Sequence, residues 1–198
     1  MLILRKGCKV PFPEKLSEEY MLTGRRITAN ISADKIKSVM EHFINIHHEP
    51  LFFILELPAK KEDEEEIRPG VVEKLHADVY YIDGCTNKEA LAILRHIGNL
   101  MINDGLCSFG FGGHESGDEI FFGKYNVTTV FSGNIEWYIG FMAEHGIPKK
   151  NKIITAWDTF SREHPGESAR IDTDGKNVFS IPEMLSGWGI YKAEQREE

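Results

Sequence analysis

The sequence predicts an α+β fold in which an antiparallel sheet carries two helices on one face. The first observation is size: 198 residues, 41% of them hydrophobic, suffice for one domain with a sizeable core, at roughly 150 residues per domain. The second is that two segments each have the pattern strand, helix, strand. The third is that only two helices alternate with strands before the pattern changes to strands.

The first of these units begins at Arg26. Between its two strands, apolar residues recur at three- and four-residue steps, which places them on one face of a helix. Ser32 is the predicted N-cap of that helix. The predicted elements are a strand at 26–31, a helix at 32–48 with its stripe at Ile36, Val39, Met40, Phe43, Ile44 and His47, and a strand at 51–57.

The second unit has the same order and stronger helix signals. Thr86 and Glu89 have the spacing of a capping box at the start of the helix, and Gly105 stops it. Tyr80 and Tyr81 lie among β-favouring neighbours, as expected for a strand. The predicted elements are a strand at 76–82, a helix at 86–104 and a strand at 106–111.

Two such units in succession, joined by a charged loop over 58–70, are the pattern of the ferredoxin-like or split βαβ fold. A Rossmann-like parallel sheet is the alternative, but only two helices alternate with strands and its phosphate-binding fingerprint is missing. We therefore expect one domain in three parts. These are an N-terminal extension at 1–25, a βαββαβ core at 26–111, and C-terminal strands and a helix at 112–198 packed on the core.

The C-terminal part is predicted to extend the core by a β-hairpin and helix elaboration. Gly123-Lys124 can make a tight reversal, so 118–131 is either one long strand or a hairpin. The last six residues should be frayed. The other predicted elements are a helix from Asn134 to Gly146, a strand at 152–157, a hairpin at 169–180 and a short helix at 180–186.

The charge balance bears on the class of partner. The chain has 31 acidic and 23 basic residues and a net charge of -8, which repels phosphate backbones and excludes nucleic acid as a partner. Part of the excess lies in the acidic run 62–66, and the rest is spread over the chain. An acidic surface either keeps a protein soluble or docks a basic partner.

Compartment follows from what the sequence does not contain. No stretch approaches the roughly 18 unbroken apolar residues of a membrane span, and there is no pattern of a signal peptide. The three cysteines, Cys8, Cys85 and Cys107, are widely spaced and form no C-x-x-C pair, so we expect neither a disulfide framework nor a structural zinc site. The sequence predicts a soluble, cytoplasmic protein in a reducing compartment.

The glycine-rich stretch 110–119 is the first candidate for a chemical site, because a loop held on a sheet can position a general acid and base or bind a divalent cation. It fits neither phosphate-binding motif: Asp118 and Glu119 stand where a Walker A loop has Lys and Ser or Thr, and Glu115 replaces the third glycine of the dinucleotide fingerprint. Gly117 makes a zinc-protease helix improbable. The alternative is a polar turn between two strands. The candidate catalytic residues are His114, Glu115 and Asp118, with no cofactor predicted.

Two further positions have both a chemical and a plainer interpretation. The sequence His47-His48-Glu49 could contribute to a metal site if a third ligand came from elsewhere, but polar groups also belong at a helix end. Cys85 precedes the predicted helix cap, where a thiol pKa can be lowered, yet no histidine close in sequence could serve as its base. We expect a partly buried helix-end residue at His47 and an unreactive thiol at Cys85.

A recognition loop is predicted over 157–167, where aromatic and charged side chains alternate in a long connection. Together with the acidic balance it predicts a non-enzymatic binding protein, an acidic inhibitor or immunity-type protein that masks a basic partner. One alternative is a small enzyme or a ligand- or metal-binding domain with its site at 110–119; another is a homo-oligomer formed through strand edges. The oligomeric state is not predicted. The candidate partner-binding residues are Trp157, Asp158, Glu163 and His164.

Overall fold

One antiparallel sheet of eight strands organises the fold. The computed structural model describes residues 1–59 and 76–197, so most of the charged loop predicted over 58–70 and the whole acidic run 62–66 lie outside the described residues. The strands are β1 (Cys8–Lys9), β2 (Tyr20–Thr23), β3 (Arg26–Asn30), β4 (Leu51–Pro58), β5 (His76–Cys85), β6 (Ser108–Gly113), β7 (Glu119–Phe122), β8 (Val127–Phe131), β9 (Glu167–Ser168) and β10 (Tyr191–Glu197). The helices are α1 (Ile36–Ile46), α2 (Asn87–Asn103), α3 (Glu136–Glu144) and α4 (Ile181–Met184).

The strand order of the large sheet is β10-β5-β4-β6-β7-β8-β3-β2, and every neighbouring pair is antiparallel. The predicted α+β class with an antiparallel sheet is confirmed. The split βαβ arrangement is not confirmed, because its first strand should lie between the two strands of the second unit, and here β4 occupies that place. The hairpin β7–β8 follows β6 directly and separates it from β3, since strands joined by a short turn pair at the lowest entropic cost.

Both long helices pack on the same face of the sheet. Helix α1 contacts α2 and β6, and α2 contacts β4 and β5. Five residues of the predicted α1 stripe are fully buried, and they share one hydrophobic cluster with the inward-facing residues of the strands. Each fully buried side chain of this size stabilises the fold by about 1.5–3 kcal/mol. The inward-facing strand residues include Ile27, Ala29, Leu51, Phe53, Leu55, Phe109, Phe111, Ile120, Phe122 and Val130.

The starts of the two helices differ. The predicted capping box of α2 is present: Glu89 N donates to Thr86 Oγ1 over 3.2 Å, and Thr86 N donates to Glu89 Oε2 over 2.8 Å. Ser32 does not cap α1, because its hydroxyl accepts a hydrogen bond from Ile3 N instead, and Lys35 precedes the helix. Within the described part of the chain, no helix is both long and apolar enough to span a membrane.

The C-terminal predictions are partly wrong. The segment 118–131 forms a hairpin, as one of the two alternatives required, but 152–157 is not a strand: it turns into a 3₁₀ helix at Ala156–Thr159. The hairpin at 169–180 is reduced to a single bridge between Thr173 and Lys176. The chain end is not frayed over its described part, because β10 pairs with β5, and Lys192 Nζ lies 2.7 Å from Asp78 Oδ1.

The N-terminal extension is fastened into the fold at several points. Strand β2 pairs with β3 in the large sheet, and β1 pairs with β9. Arg5 is only 1% exposed, and its guanidinium reaches three different parts of the chain. Its hydrogen bonds go to the backbone oxygens of Met101, Cys107 and Gly123.

Candidate functional site

The glycine-rich stretch forms a tight turn between β6 and β7. Gly113 N donates to Asp118 O over 2.9 Å, and Gly117 N donates to Gly113 O over 3.0 Å. Gly117 has a φ of 65°, which a residue without a side chain adopts at least cost. The turn therefore places Asp118 and Glu119 at the start of β7. Because consecutive side chains of a strand point to opposite faces of the sheet, these two carboxylates lie on different faces.

Asp118 points to the helix side and is 2% exposed. Its carboxylate accepts hydrogen bonds from Ser132 Oγ over 2.6 Å and from Gly133 N over 2.8 Å, and Oδ2 lies 3.0 Å from His47 Nε2. Burial on its own would raise the pKa of Asp118, but these hydrogen bonds and the charge of His47 outweigh it and lower the pKa. The carboxylate thus ties the end of α1 to the segment that leads into α3.

The histidine of this pair has no nitrogen left for chemistry. His47 Nδ1 lies 2.9 Å from Phe43 O, and Nε2 faces Asp118. Both neighbours are hydrogen-bond acceptors, so each ring nitrogen already has a partner. Ser132 donates to the carboxylate rather than to the imidazole, which is not the order of a nucleophilic triad. The geometry is that of a buried structural clamp.

The three predicted catalytic residues lie in different surroundings. His114 is exposed, with Nε2 3.5 Å from Asp83 Oδ1 and its ring centroid 5.3 Å from that of Phe52. Glu115 is exposed on the turn, whereas Asp118 is buried against His47. Among residues 1–59 and 76–197, no three His, Cys, Asp or Glu side chains are grouped closely enough to hold a metal ion. A catalytic role for this set stays a prediction.

A cavity of about 330 Å³ adjoins the clamp. It lies between the end of α1, the turn and the start of α3. The side chains that line it are mainly polar, with Trp137 44% exposed at its edge. The lining residues are Ile46, His47, His48, Glu115, Ser116, Asp118, Gly133, Asn134 and Trp137.

Cys85 is not activated. It is buried just before the cap of α2, and desolvation, with Glu89 and Asp83 adding to it, raises its pKa to about 11. A thiol with so high a pKa is almost entirely protonated near neutral pH and is a poor nucleophile. This agrees with the expected unreactive thiol.

Glu119 points to the other face of the sheet, which carries neither α1 nor α2. We call this the open face; its central residues are Phe52, Ile54, Tyr81, Glu119, Phe121, Phe131 and Tyr191. In the register of the sheet, Glu119 is opposite Gly112 on one side and Phe131 on the other. Desolvation by burial raises the pKa of its carboxyl. Within the described residues this carboxylate has no hydrogen bond and no ion pair.

Aromatic rings form a row next to Glu119. The ring centroids of Phe52 and Tyr81 are 5.9 Å apart, and those of Tyr81 and Tyr191 are 6.4 Å apart. Phe131 is 45% exposed and Tyr191 is 47% exposed. Burial and the nearby charges of Glu119, Glu194 and Asp83 raise the pKa of Tyr81. The open face therefore combines exposed rings with carboxylates, and it also carries Arg26, which is opposite Phe131 in the register.

A groove of about 570 Å³ continues the open face toward the predicted recognition loop. Trp157 is 52% exposed and lines this groove, while its ring packs against Tyr125 with centroids 5.0 Å apart. The other three predicted partner-binding residues do not line the groove: Asp158 accepts hydrogen bonds from Thr155, His164 packs on Phe12, and Glu163 is exposed. The lining residues are Arg26, Glu56, Ser108, Phe121, Gly123, Lys124, Val127, Thr129 and Trp157.

Neither a family nor a relative assigns a role to this surface: no protein-family model, no curated protein and no solved structure matches the chain. The class is therefore defined by the fold and the site alone. It is an α+β protein with α1 and α2 on one face of an antiparallel sheet and exposed aromatic side chains on the other.

Proposed function

We propose that the protein is a non-enzymatic binding protein that masks a basic partner protein with the open face of its sheet. The observation that carries the proposal is Glu119, a half-buried carboxylate without a cation among the described residues. Withdrawing a charge from water is costly unless a counter-charge compensates it. A partner that brings a cation to this position supplies the compensation.

The rings around Glu119 support the proposal. Aromatic residues are enriched in the buried centres of protein interfaces, where they provide a large contact area at small entropic cost. Phe131 and Tyr191 are exposed on the open face, and Trp157 stands exposed at the end of the groove. These three positions would be the apolar anchors of the interface.

The overall charge favours a basic partner. A chain with a net charge of -8 attracts positively charged proteins over distances comparable to the Debye length and accelerates their encounter. Glu119, Glu194 and Asp83 concentrate part of that charge around Tyr81. These carboxylates would be the contacts of the open face with a basic partner.

The test is affinity capture from native lysate with three forms of the protein: the natural chain, Glu119→Gln and Glu144→Gln. Glu144 is an exposed carboxylate on α3, so its replacement is the control for a change of net charge. We expect a basic protein that the natural chain and Glu144→Gln retain, that Glu119→Gln loses, and that about 0.5 M salt releases because screening weakens the charge pairs. Identical capture by all three forms contradicts the proposal.

A small-molecule site is the second candidate, and the cavity of about 330 Å³ beside His47 favours it. Its test is a ¹⁵N NMR titration with a panel of small carboxylic acids and amines. Shifts confined to Glu115, Ser116 and Trp137 would support a ligand at this place. If no compound of the panel shifts them, the cavity is part of the fold and not a binding site.

A further inference from the structure

We infer that the basic partner presents an arginine, not a lysine, to the open face, with its guanidinium paired to Glu119 between the rings of Phe52 and Phe131. This inference rests on the proposed function and specifies the chemistry of the partner at one position. It depends on three features of the surface: the register around Glu119, the gap at Gly112, and a guanidinium already stacked on Phe131.

The register places an aromatic ring on each side of the carboxylate. Along one line across the open face, Phe52 pairs with Gly112, Gly112 with Glu119, and Glu119 with Phe131. Directly opposed residues in an antiparallel sheet have Cβ atoms about 4.5–5.5 Å apart. Phe131 is therefore an immediate neighbour of Glu119, and Phe52 is separated from it only by a glycine.

Gly112 lets the Phe52 ring approach Glu119. A Cβ atom built on Gly112 would lie 2.1 Å from Cζ of Phe52, so the ring occupies the space in which a side chain at this position would stand. The ring thus extends across β6 in the direction of β7. Glu119 is thus flanked by the rings of Phe52 and Phe131, and we call this place between the two rings the slot.

A guanidinium of the chain itself already packs on one of these two rings. The guanidinium carbon of Arg25 lies 4.9 Å from the ring centroid of Phe131. Arg25 Nε donates to Ser132 O over 3.4 Å, so this arginine is directed to the backbone at the end of β8 and forms no ion pair with Glu119. Arg26, which is opposite Phe131 on β3, forms no ion pair with Glu119 either. A further guanidinium, from the partner, would pair with the carboxylate that neither arginine reaches.

The shape and chemistry of the slot favour arginine over lysine. A guanidinium is planar and weakly hydrated, so it stacks against aromatic rings while two of its N–H groups donate to one carboxylate. An ammonium is compact and strongly hydrated and offers no flat surface to a ring. A surface with carboxylates alone would bind arginine and lysine about equally. A measured preference for arginine therefore shows that the aromatic rings contribute to binding.

The experiment titrates three short blocked peptides into the full chain and follows the amide and side-chain NMR signals of the open face. The peptides have the same valine- and threonine-rich extended sequence and carry a single central arginine, lysine or citrulline, the last having the shape of arginine without its charge. Each is titrated into the natural chain, Glu119→Gln and Glu144→Gln. Phe131→Leu, which keeps an apolar side chain but removes the ring, is the second slot variant.

We expect the arginine peptide to bind at least about threefold more tightly than the lysine peptide, because stacking adds to charge pairing. Glu119→Gln should weaken the arginine peptide by about tenfold, Phe131→Leu should remove the preference for arginine, and Glu144→Gln should change nothing. If the arginine and lysine peptides bind equally and Glu119→Gln abolishes both, the inferred preference for arginine is wrong, but the proposal of a basic partner is still supported. Arginine binding that Glu119→Gln does not alter overturns the slot and removes the main support of the proposed function.

Discussion

Asp118 and Glu119 are neighbours in the sequence with opposite roles in the molecule. Asp118 is buried on the helix side and holds hydrogen bonds from Ser132, Gly133 and His47, whereas Glu119 is half-buried on the open face with no such partner among the described residues. Their pKa values are shifted in opposite directions, down for Asp118 and up for Glu119. The comparison teaches that a buried carboxylate with three donors ties elements of the fold together, whereas its neighbour on the other face ties none.

Strand geometry produces this difference. Side chains alternate between the two faces of a strand, so a single residue step carries a carboxylate from a site with three donors to a site with aromatic neighbours. Desolvation acts on both carboxylates and is outweighed by hydrogen bonds only at Asp118. Substitutions at the two positions should therefore differ in their effects on stability and on binding.

The largest effect should come from Asp118→Ala. It leaves the imidazole of His47, the Ser132 hydroxyl and Gly133 N without their acceptor in a buried place, and each buried donor without an acceptor costs about 1–3 kcal/mol. Urea unfolding should show that loss in the free energy of unfolding, with a smaller loss for Asp118→Asn. A loss below about 1 kcal/mol would mean that the clamp does not hold the fold together.

Gly112→Ala should have the next largest effect. The added Cβ collides with the Phe52 ring, and overpacking of this kind costs about 1–3 kcal/mol. Urea unfolding measures the cost, and the arginine peptide should lose its advantage over lysine because the ring is displaced. Gly140→Ala is the control: nothing lies within 4 Å of a Cβ there, and alanine in a helix should stabilise by about 0.5–1 kcal/mol.

Acid should reveal the clamp as a pH dependence of stability. The pKa of Asp118 is lowered in the folded state, so its contribution to stability is present above the unfolded value of 3.8 and is lost as pH falls through the folded value. The loss amounts to about 1.4 kcal/mol for each unit of pKa shift. Urea unfolding between about pH 5 and pH 2 should therefore show a steeper decline for the natural chain than for Asp118→Asn; parallel curves would contradict it.

Sequence reasoning could predict the local elements but not the contacts that define the site. The stripe of α1 and the capping box of α2 are encoded within a few residues, and the structure confirms them. The hairpin β7–β8 is one of the two alternatives that the sequence leaves open for 118–131. The sequence predicts a partly buried helix-end residue at His47, and the structure buries it there, but its pairing with Asp118 joins positions 71 apart in the chain. No local pattern specifies such a contact.

The position of Glu119 depends on register across several strands. The sequence indicates that β7 is a strand but does not say that Gly112 and Phe131 flank this residue, since strand order follows from the packing of the whole sheet. For the same reason, the split βαβ strand order is only one of several strand orders that two strand–helix–strand units allow. The hairpin β7–β8 decides among them by inserting two strands between β6 and β3.

The smallest effect on stability should come from Glu119→Gln, although its effect on binding is large. Because burial raises the folded pKa of Glu119 above 4.5, the folded state disfavours the charged form, and Glu119 reduces stability once the pH exceeds that value. Removing the charge should therefore raise the free energy of unfolding at neutral pH by a few tenths of a kcal/mol, since solvent screens a half-exposed group.

Binding of the arginine peptide should strengthen as pH rises through the pKa of Glu119, because only the charged form pairs with a guanidinium. Two results would contradict this account. A Glu119→Gln variant that is less stable than the natural chain would give Glu119 a structural role like that of Asp118. Binding of the arginine peptide that is equal at pH 4 and pH 7 would show that the charge of Glu119 does not contribute to it.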